Sequence, residues 1–304
     1  IVKDFPCQYI NIKKSGVARA RNVGIAHATG EILLFFDSDT RLTKNTIINF
    51  LEVFDNNPEL CVVQGKWVQD YPAANFNTLF HLNKWSYNFE CLLAGGKRVS
   101  VSELMTGCLG TRKEVFKKVG GFDENYKRAG GEEWELGFRI VKNNYLIYYY
   151  DSIAVYHNFG SYFNTVYKTY FRTINFAMLI FEAKNQRENL LDKIKNSIPN
   201  RDKLSMVYIS LMVLTFFFMG LYYFSQTPVG SDKYVLFGSL LGLVFTTLYL
   251  SNIRGLLNYQ YKREGGLFAL KAMLADGLII TQKILATLTA VFIFYILGYK
   301  KFKI

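Results

Sequence analysis

The sequence predicts an α/β domain followed by an α-helical membrane region, and three observations support that prediction. Half of the 304 residues are hydrophobic, but they are spread unevenly. Residues 1–160 alternate short apolar runs with helical patterns, which is typical of a sheet covered by helices. Residues 201–304 instead contain two stretches without a charged side chain, Leu204 to Ser231 and Tyr234 to Ile253, each long enough to cross a bilayer as a helix.

The elements of the α/β part can be assigned in order. The run from Ile32 to Phe36 is continuously apolar, so it predicts a strand covered on both faces, and the alternation favours a parallel or mostly parallel sheet. The predicted helices cover 15–29, 43–54, 113–119 and 132–142. The predicted strands cover 32–36, 60–63, 104–111, 146–150 and 153–156. Residues 67–103 are aromatic-rich and show little periodicity.

Two acids lie directly after the strand that ends at Phe36. Asp37 and Asp39 flank Ser38 at the carboxyl end of a buried strand, where α/β sheets bind ligands. Carboxylates suit a hard divalent cation such as Mg²⁺ or Mn²⁺, which can neutralise a departing diphosphate. Acids in such triplets also serve as turn or capping residues. Their location at the carboxyl end of a buried strand is what favours a metal and donor site.

A second acidic group opens the predicted helix that follows Gly130 and Gly131. Glu132, Glu133 and Glu135 provide carboxylates for a base that removes a proton from an attacking hydroxyl. The helix dipole also favours acids in a first turn, so a structural role stands beside the catalytic one.

Aromatic and histidine side chains extend the candidate site. His157, at a strand end, would approach the metal or act as a local hydrogen-bonding group. Trp134 would stack on an acceptor sugar or pack in the core. A third set would line an acceptor or lipid-phosphate lip, although packing of an insertion explains it nearly as well: Trp67, Tyr71, Trp85, Tyr87 and Phe89.

Several motifs together resemble glycosyltransferase family 2, which has the GT-A fold. The first half of the resemblance is Ala20-Arg21-Asn22-Val23-Gly24-Ile25-Ala26, Ala28-Thr29-Gly30-Glu31 and Asp37-Ser38-Asp39. The second half is Gly107, Arg112-Lys113 to Val115-Phe116, Val119-Gly120-Gly121-Phe122-Asp123-Glu124, Glu132-Glu133-Trp134-Glu135-Leu136 to Arg139, and Val155-Tyr156-His157. The ordered combination covers about residues 10–160 and is far more specific than any single piece.

The resemblance implies a role for each matching position. It implies that Asp37 and Asp39 bind the donor and its metal, with Asp39 the direct ligand, and that Arg21 and Asn22 edge the nucleotide. Glu133 stands where the family places its catalytic base, usually an Asp, and Glu132 or Glu135 would share that role. Gly107 and Trp134 fall in the acceptor half. The family is inverting, so the resemblance implies direct displacement without a covalent sugar–enzyme intermediate.

The region after the α/β domain is expected to associate with a membrane. Residues 161–200 predict an amphipathic helix lying in the membrane interface or packed on the α/β domain. Residues 201–304 predict two spans plus a shorter in-plane or re-entrant helix over 277–299. Because basic residues at 254–263 and 300–303 flank these segments, we expect a multi-pass cell-membrane protein with its catalytic domain on the cytoplasmic face.

The expected partners follow from this interpretation. They are a nucleotide-sugar donor, a glycan or lipid-linked acceptor, and membrane lipids. Of the net charge of +12, the second half of the chain carries the larger share, and its basic residues lie beside apolar segments, so nucleic acid is not expected. A polyprenyl-phosphate sugar synthase and a catalytically dead membrane scaffold remain alternatives. The family's first strand should precede residue 1, so the chain is expected to be a fragment.

Overall fold

A computed structural model describes residues 6–13, 16–69, 75–93, 98–101, 104–126, 130–157, 159–185, 200–224 and 231–296. The strands are β1 (Ile32–Phe36), β2 (Thr40–Leu42), β3 (Val62–Val68), β4 (Arg98–Val101), β5 (Cys108–Arg112) and β6 (Ile147–His157). The helices are α1 (Val17–His27), α2 (Thr46–Asn56), α3 (Phe76–Leu93), α4 (Lys113–Val119), α5 (Glu132–Lys142), α6 (Tyr162–Asn185), α7 (Asn200–Phe224), α8 (Ser231–Glu264) and α9 (Gly266–Val291), which continues as a π-helical turn, Phe292–Ile296.

The six described strands form one mixed sheet in the order β1-β5-β3-β6-β2, with β4 paired to the first half of β6. Only β3 and β6 pair in parallel among them, so the expectation of a mostly parallel sheet is wrong. A strand covered on both faces is apolar throughout, whether its neighbours are parallel or antiparallel. The apolar pattern therefore does not indicate the relative direction of the strands.

Two apolar cores cover the two faces of this sheet. On one face Leu33 and Leu109 pack with residues of α1, α4 and α5 such as Leu136. On the other face Val63 and Val155 pack with residues of α2 and with partly buried aromatic rings. The continuous apolar run of β1 is explained by this double covering.

Four elements differ from the sequence-based prediction, and two of them are the short strands β2 and β4, which it did not include. The strands predicted over 146–150 and 153–156 are one continuous strand, β6, which pairs with both β3 and β2. Residues 76–93 form helix α3, which the weak periodicity of the aromatic-rich segment did not indicate. The remaining predicted helices and strands of the α/β part are present, with ends that move by a few residues.

Helices α6 to α9 pack against one another beyond the sheet. Two stretches within them are long and apolar enough to cross a membrane, Leu236–Glu264 and Gly266–Ile296. The second contains the segment predicted over 277–299, but its helix begins 11 residues before Gly277 and buries Asp276. Helix α6 lies along α9, where Ala177 and Met178 contact Ala286 and Ala290.

A group of buried charges joins α3 to the helices, and we call it the junction cluster: Lys84, Arg201, Asp202, Asp276 and Lys283. Lys84 Nζ lies 2.5 Å from Asp276 Oδ1 and 3.7 Å from Asp202 Oδ2. Lys283 and Arg201 reach Asp202 at 3.4 and 2.8 Å. These contacts connect α3 of the α/β part to α7 and α9. Separating the helices would leave buried ions without their counter-ions, which is unfavourable.

Helices α8 and α9 are joined by Gly265 alone, which has φ 88°. Only glycine adopts this backbone conformation without strain. The end of α8 contacts α3, because Asn83 Nδ2 donates to Glu264 Oε1 at 3.3 Å and Tyr259 donates to Glu90 at 2.7 Å. The two apolar helices therefore form a hairpin whose tip is held against the α/β part.

Candidate active site

The predicted acidic pair lies at the end of β1. The Asp37 carbonyl accepts from the Thr40 amide at 3.0 Å and from its hydroxyl at 2.7 Å, which closes a tight turn. The Asp39 side chain is 66% exposed and that of Asp37 is 36% exposed. Both carboxylates are therefore open to a ligand arriving from solvent.

Arg21, on α1, connects this pair to the second acidic group. Its guanidinium donates to Asp37 Oδ1 at 3.0 Å and to Glu132 Oε1 at 2.8 Å. Burial by itself lowers the pKa of Arg21, but Glu133, Glu132 and Asp37 together raise it above its ordinary value. The three side chains, which are far apart in sequence, thus form one charged group.

The glycine pair before α5 sets the position of Glu132. Gly130 and Gly131 have φ values of 119° and 118°, which side-chain-bearing residues rarely adopt. The Gly130 amide donates to Glu132 Oε2 at 2.6 Å, so both oxygens of this buried carboxylate accept hydrogen bonds. Asn175, on α6, donates to the Gly130 carbonyl at 2.7 Å and fixes the turn from the other side.

Glu133 lies beside this group with one oxygen unused. Its Oε2 accepts from the Thr106 hydroxyl at 3.0 Å, whereas Oε1 has no partner among the described residues. Burial raises the pKa of Glu133 above its ordinary value and the charge of Glu132 adds to the shift, while Arg172 and Arg21 oppose it. A carboxyl group with a raised pKa is suited to accept a proton near neutral pH.

His157 ends β6 opposite Thr40 and approaches the acidic pair. Its Nε2 lies 3.8 Å from Asp39 Oδ1, and its Nδ1 is buried without a partner in the described part of the chain. Burial lowers the pKa of His157, and Asp39 and Asp37 oppose that effect. A neutral imidazole beside a carboxylate is a suitable metal ligand.

Gly107 packs closely against Asp37 and Trp67. A Cβ atom at this position would lie 3.0 Å from Asp37 Oδ2 and 3.1 Å from Trp67 Nε1, so a larger residue would crowd both side chains. Trp67 in turn lies against His157, with ring centroids 4.9 Å apart. The structure therefore places Gly107 next to the acidic pair.

The metal prediction fits this geometry in part. Among the described residues no group of three His, Cys, Asp or Glu side chains is arranged to hold a metal ion. Asp37, Asp39 and His157 lie together, however, and the exposed carboxylates match the oxygen ligands that Mg²⁺ and Mn²⁺ prefer. The residues fit a cation that is completed by oxygens of a bound diphosphate.

Three predicted residues make other contacts. Asn22 holds the 121–124 turn: its amide donates to the Phe122 carbonyl at 2.9 Å and accepts from the Phe122 amide at 2.8 Å, which differs from the predicted nucleotide contact. Glu135 forms a bidentate pair with Arg139 at 2.6 and 2.7 Å, so its oxygens are not available to share a proton with Glu133. Trp134 packs edge-on against Phe176, as the core interpretation expects.

Arg172, on α6, is a site residue that the sequence reasoning missed. Its Nε is buried without a partner in the described part of the chain, and its charge acts on Glu133 and His157. The Gly130 backbone packs against its side chain. Arg172 lies in the helix that was predicted either to lie in the membrane interface or to pack on the α/β domain, and neither alternative named this side chain as part of the site.

Two family models match the chain. Residues 1–120 match the model described as glycosyl transferase family 2, and residues 92–165 match the model described as the N-terminal domain of galactosyltransferase. The first range falls within the α/β part, the second ends in the first turn of α6, and their overlap includes Gly107.

Individual relatives are distant. An inactive polypeptide N-acetylgalactosaminyltransferase-like protein 5 of Macaca fascicularis is 25% identical over 43% of this chain and 32% of its own length. A glucosyl-dolichyl phosphate glucuronosyltransferase of Haloferax volcanii is 24% identical over 40% of this chain and 39% of its own. The chain thus spans between a third and two fifths of these relatives.

A solved mannosyltransferase from Pyrobaculum calidifontis, in complex with GDP-Man and Mn²⁺, is similar in structure over 82% of this chain and 68% of its own, with a TM-score of 0.40 and 14% identity. The two family matches, together with the mixed sheet and the following apolar helices, confirm the predicted α/β GT-A class.

Proposed function

We propose that this chain, whose residues 1–120 match the model described as glycosyl transferase family 2, moves a sugar from a nucleotide-diphosphate sugar to a hydroxyl acceptor with inversion at the anomeric carbon. The acceptor belongs to a surface glycan or glycolipid that is assembled at a membrane. The observation that carries the proposal is the charged group around Arg21, in which Asp37 at the end of β1 and Glu132 at the start of α5 bind one guanidinium.

Glu133 is proposed as the catalytic base. It adjoins this group, has one unused oxygen, and has a pKa raised by burial, which matches a base that works near neutral pH. Glu132 is proposed as a positioning residue, because Arg21 and Gly130 occupy its oxygens. Arg172 is proposed to supply positive charge beside Glu133 for the anionic part of a substrate.

The donor side is proposed to use Asp37, Asp39 and His157. These residues would hold Mg²⁺ or Mn²⁺, which when bound supplies positive charge to the departing diphosphate. Arg21 fixes the orientation of Asp37 through the bond to Oδ1, and Asp37 Oδ2 lies close to the Gly107 backbone.

Membrane placement is proposed from the helices. Leu236–Glu264 and Gly266–Ile296 expose many apolar side chains, for example Leu240 and Leu278, which are 54% and 61% exposed. Lipid would cover such surfaces at less cost than water. A multi-pass arrangement with the α/β part on the cytoplasmic face is proposed, since basic residues at 254–263 lie on the side of the α/β part.

The test is sugar transfer by the full chain in detergent, with UDP- and GDP-sugars as donors and both carbohydrate and polyprenyl-phosphate acceptors. We expect Asp39→Asn and chelation of divalent ions each to lower the rate about 100-fold or more, because several kcal/mol of charge stabilisation are lost. Asp55→Asn, at an exposed position of α2, is the matched control and should transfer normally.

The outcomes separate the alternatives. Unchanged transfer by Asp39→Asn, or turnover that survives chelation, would contradict the metal role. Transfer to polyprenyl phosphate alone would identify a lipid-phosphate sugar synthase. A phosphate acceptor needs less deprotonation than a hydroxyl, so Glu133 would matter less as a base. No transfer with any donor would favour a catalytically dead membrane scaffold.

A further inference from the structure

A cavity of about 200 Å³ lies beside the candidate active site, between the end of β3, helix α3 and strand β6. Aromatic rings form much of its wall: Trp67, Trp85, Phe89 and Tyr149. Trp85 and Phe89 have ring centroids 4.2 Å apart, and Phe89 stacks on Tyr149 at 4.1 Å. These rings pack on one another and form a contiguous aromatic part of the wall.

Charged side chains line the same cavity in balanced pairs. Lys66 bonds Asp151, and Arg263 Nη2 lies 3.7 Å from Glu90 Oε1. Because two cations face two carboxylates, these side chains add no net charge. A phosphate would find no excess positive charge here, whereas a neutral ligand with several hydroxyl groups would meet both donors and acceptors.

One polar group of the wall lacks a partner. Gln69 Nε2 is buried and makes no hydrogen bond within the described residues. A buried amide donor without an acceptor is unfavourable by roughly 1–3 kcal/mol, so a ligand that accepts from it would be stabilised. Part of the cavity thus has hydrogen-bonding capacity that the protein itself does not use.

Trp67 connects the cavity to the active site. It lines the cavity, yet its Nε1 lies toward Gly107 and Asp37, and its ring contacts His157. Trp67 therefore contacts both the cavity and the residues around the acidic pair.

We propose that this cavity is a saccharide subsite that binds one uncharged sugar ring of the glycan acceptor. The inference rests on the proposed function and specifies its acceptor. Flat aromatic faces contact the C–H face of a pyranose, while the Lys66–Asp151 and Glu90–Arg263 pairs and Gln69 serve its hydroxyls. The volume falls below the roughly 300–1,000 Å³ of drug-sized pockets, which limits the ligand to a single ring.

The test is direct binding of methyl hexosides to the full chain in detergent, without donor or divalent metal. The probes are the methyl glycosides of glucose, galactose, mannose and N-acetylgalactosamine, followed by saturation-transfer NMR. We expect at least one to bind, and Trp85→Leu and Asp151→Asn to weaken that binding about tenfold. Asp55→Asn should bind as the wild type does.

Asp151 has a half-exposed side chain at 53%, so its variant tests the site even where Trp85→Leu fails to fold, as a thermal melt would reveal. With a glycan acceptor, both variants should raise KM about tenfold while kcat stays unchanged, because they alter binding and leave the reacting groups in place.

Failure of this inference differs from failure of the proposed function. Asp39→Asn should abolish transfer but bind hexosides like the wild type. Hexoside binding that is unchanged in Trp85→Leu and Asp151→Asn, or absent from the wild-type protein for every probe, would overturn the cavity as a saccharide site even if transfer is observed.

Discussion

The candidate active site and the junction cluster both consist of buried or half-buried charges, but they differ in how their carboxylate oxygens are used. In the junction cluster all four oxygens are occupied: Lys84 and Tyr249 contact those of Asp276, and Arg201 and Lys283 contact those of Asp202. In the active site Glu133 Oε1 and Asp37 Oδ2 have no partner among the described residues.

This difference suggests a structural role for the charges of the junction cluster and a ligand-binding role for those of the candidate active site. A carboxylate with every oxygen bonded has reached its preferred environment, whereas one with an unused oxygen keeps the capacity to bind a cation or a proton. The comparison predicts that substitutions in the first region alter stability and those in the second alter rate.

The largest expected effect is that of Glu133→Gln. Removal of a general base lowers kcat by roughly 10²–10⁴-fold, while the melting temperature should change little because the amide keeps the bond from Thr106. Rates and melting curves of purified protein measure both quantities. Glu52→Gln, at an exposed position of α2, serves as the control. A Glu133→Gln protein that is less stable but keeps its kcat would contradict the prediction and give Glu133 a structural role.

The next effect lies in the junction cluster. Lys84→Met leaves the buried Asp276 without its cation and should destabilise the protein by about 3–5 kcal/mol, measured by denaturation in detergent. The double variant Lys84→Met/Asp276→Leu removes both ions and should regain most of that loss. Activity of the folded fraction should match the wild type. A double variant less stable than the single one would show that the cluster needs its charges.

The smallest effect concerns pH. Since burial raises the pKa of Glu133 in the folded state, the folded protein binds this proton more tightly than the unfolded chain does. The free energy of unfolding should therefore decrease as pH rises from the unfolded pKa to the folded one, and transfer should increase over the same interval. Glu133→Gln should remove this contribution to the stability profile; an identical profile in the variant would mean that another group titrates.

Much of this site could be predicted from the sequence, because its parts occur in short motifs at element ends. Asp37 and Asp39 follow a strand that reads as buried, and Glu133 follows a glycine pair that opens a helix. Arg21 was predicted to edge the nucleotide, but its bonds to Asp37 and Glu132 join residues 16 and 111 positions apart, which no local pattern indicates.

Other features depend on tertiary contacts that periodicity does not record. Asn22 was expected at the donor, and only the approach of the 121–124 turn gives its amide another use. Arg172 reaches the site because α6 packs along α9, and helix α3 is stabilised by aromatic contacts with β6 rather than by a regular apolar stripe. The direction in which neighbouring strands run also depends on tertiary pairing, which the apolar pattern of a single strand does not indicate.

The one-residue connection at Gly265 also bears on how the protein is made. With no loop between α8 and α9, the two helices have little freedom to move apart at their shared end. Glu90 and Asn83 precede this tip in the chain and are synthesised before it. Helix α3 therefore already carries the polar groups that bind the tip when α8 and α9 are made.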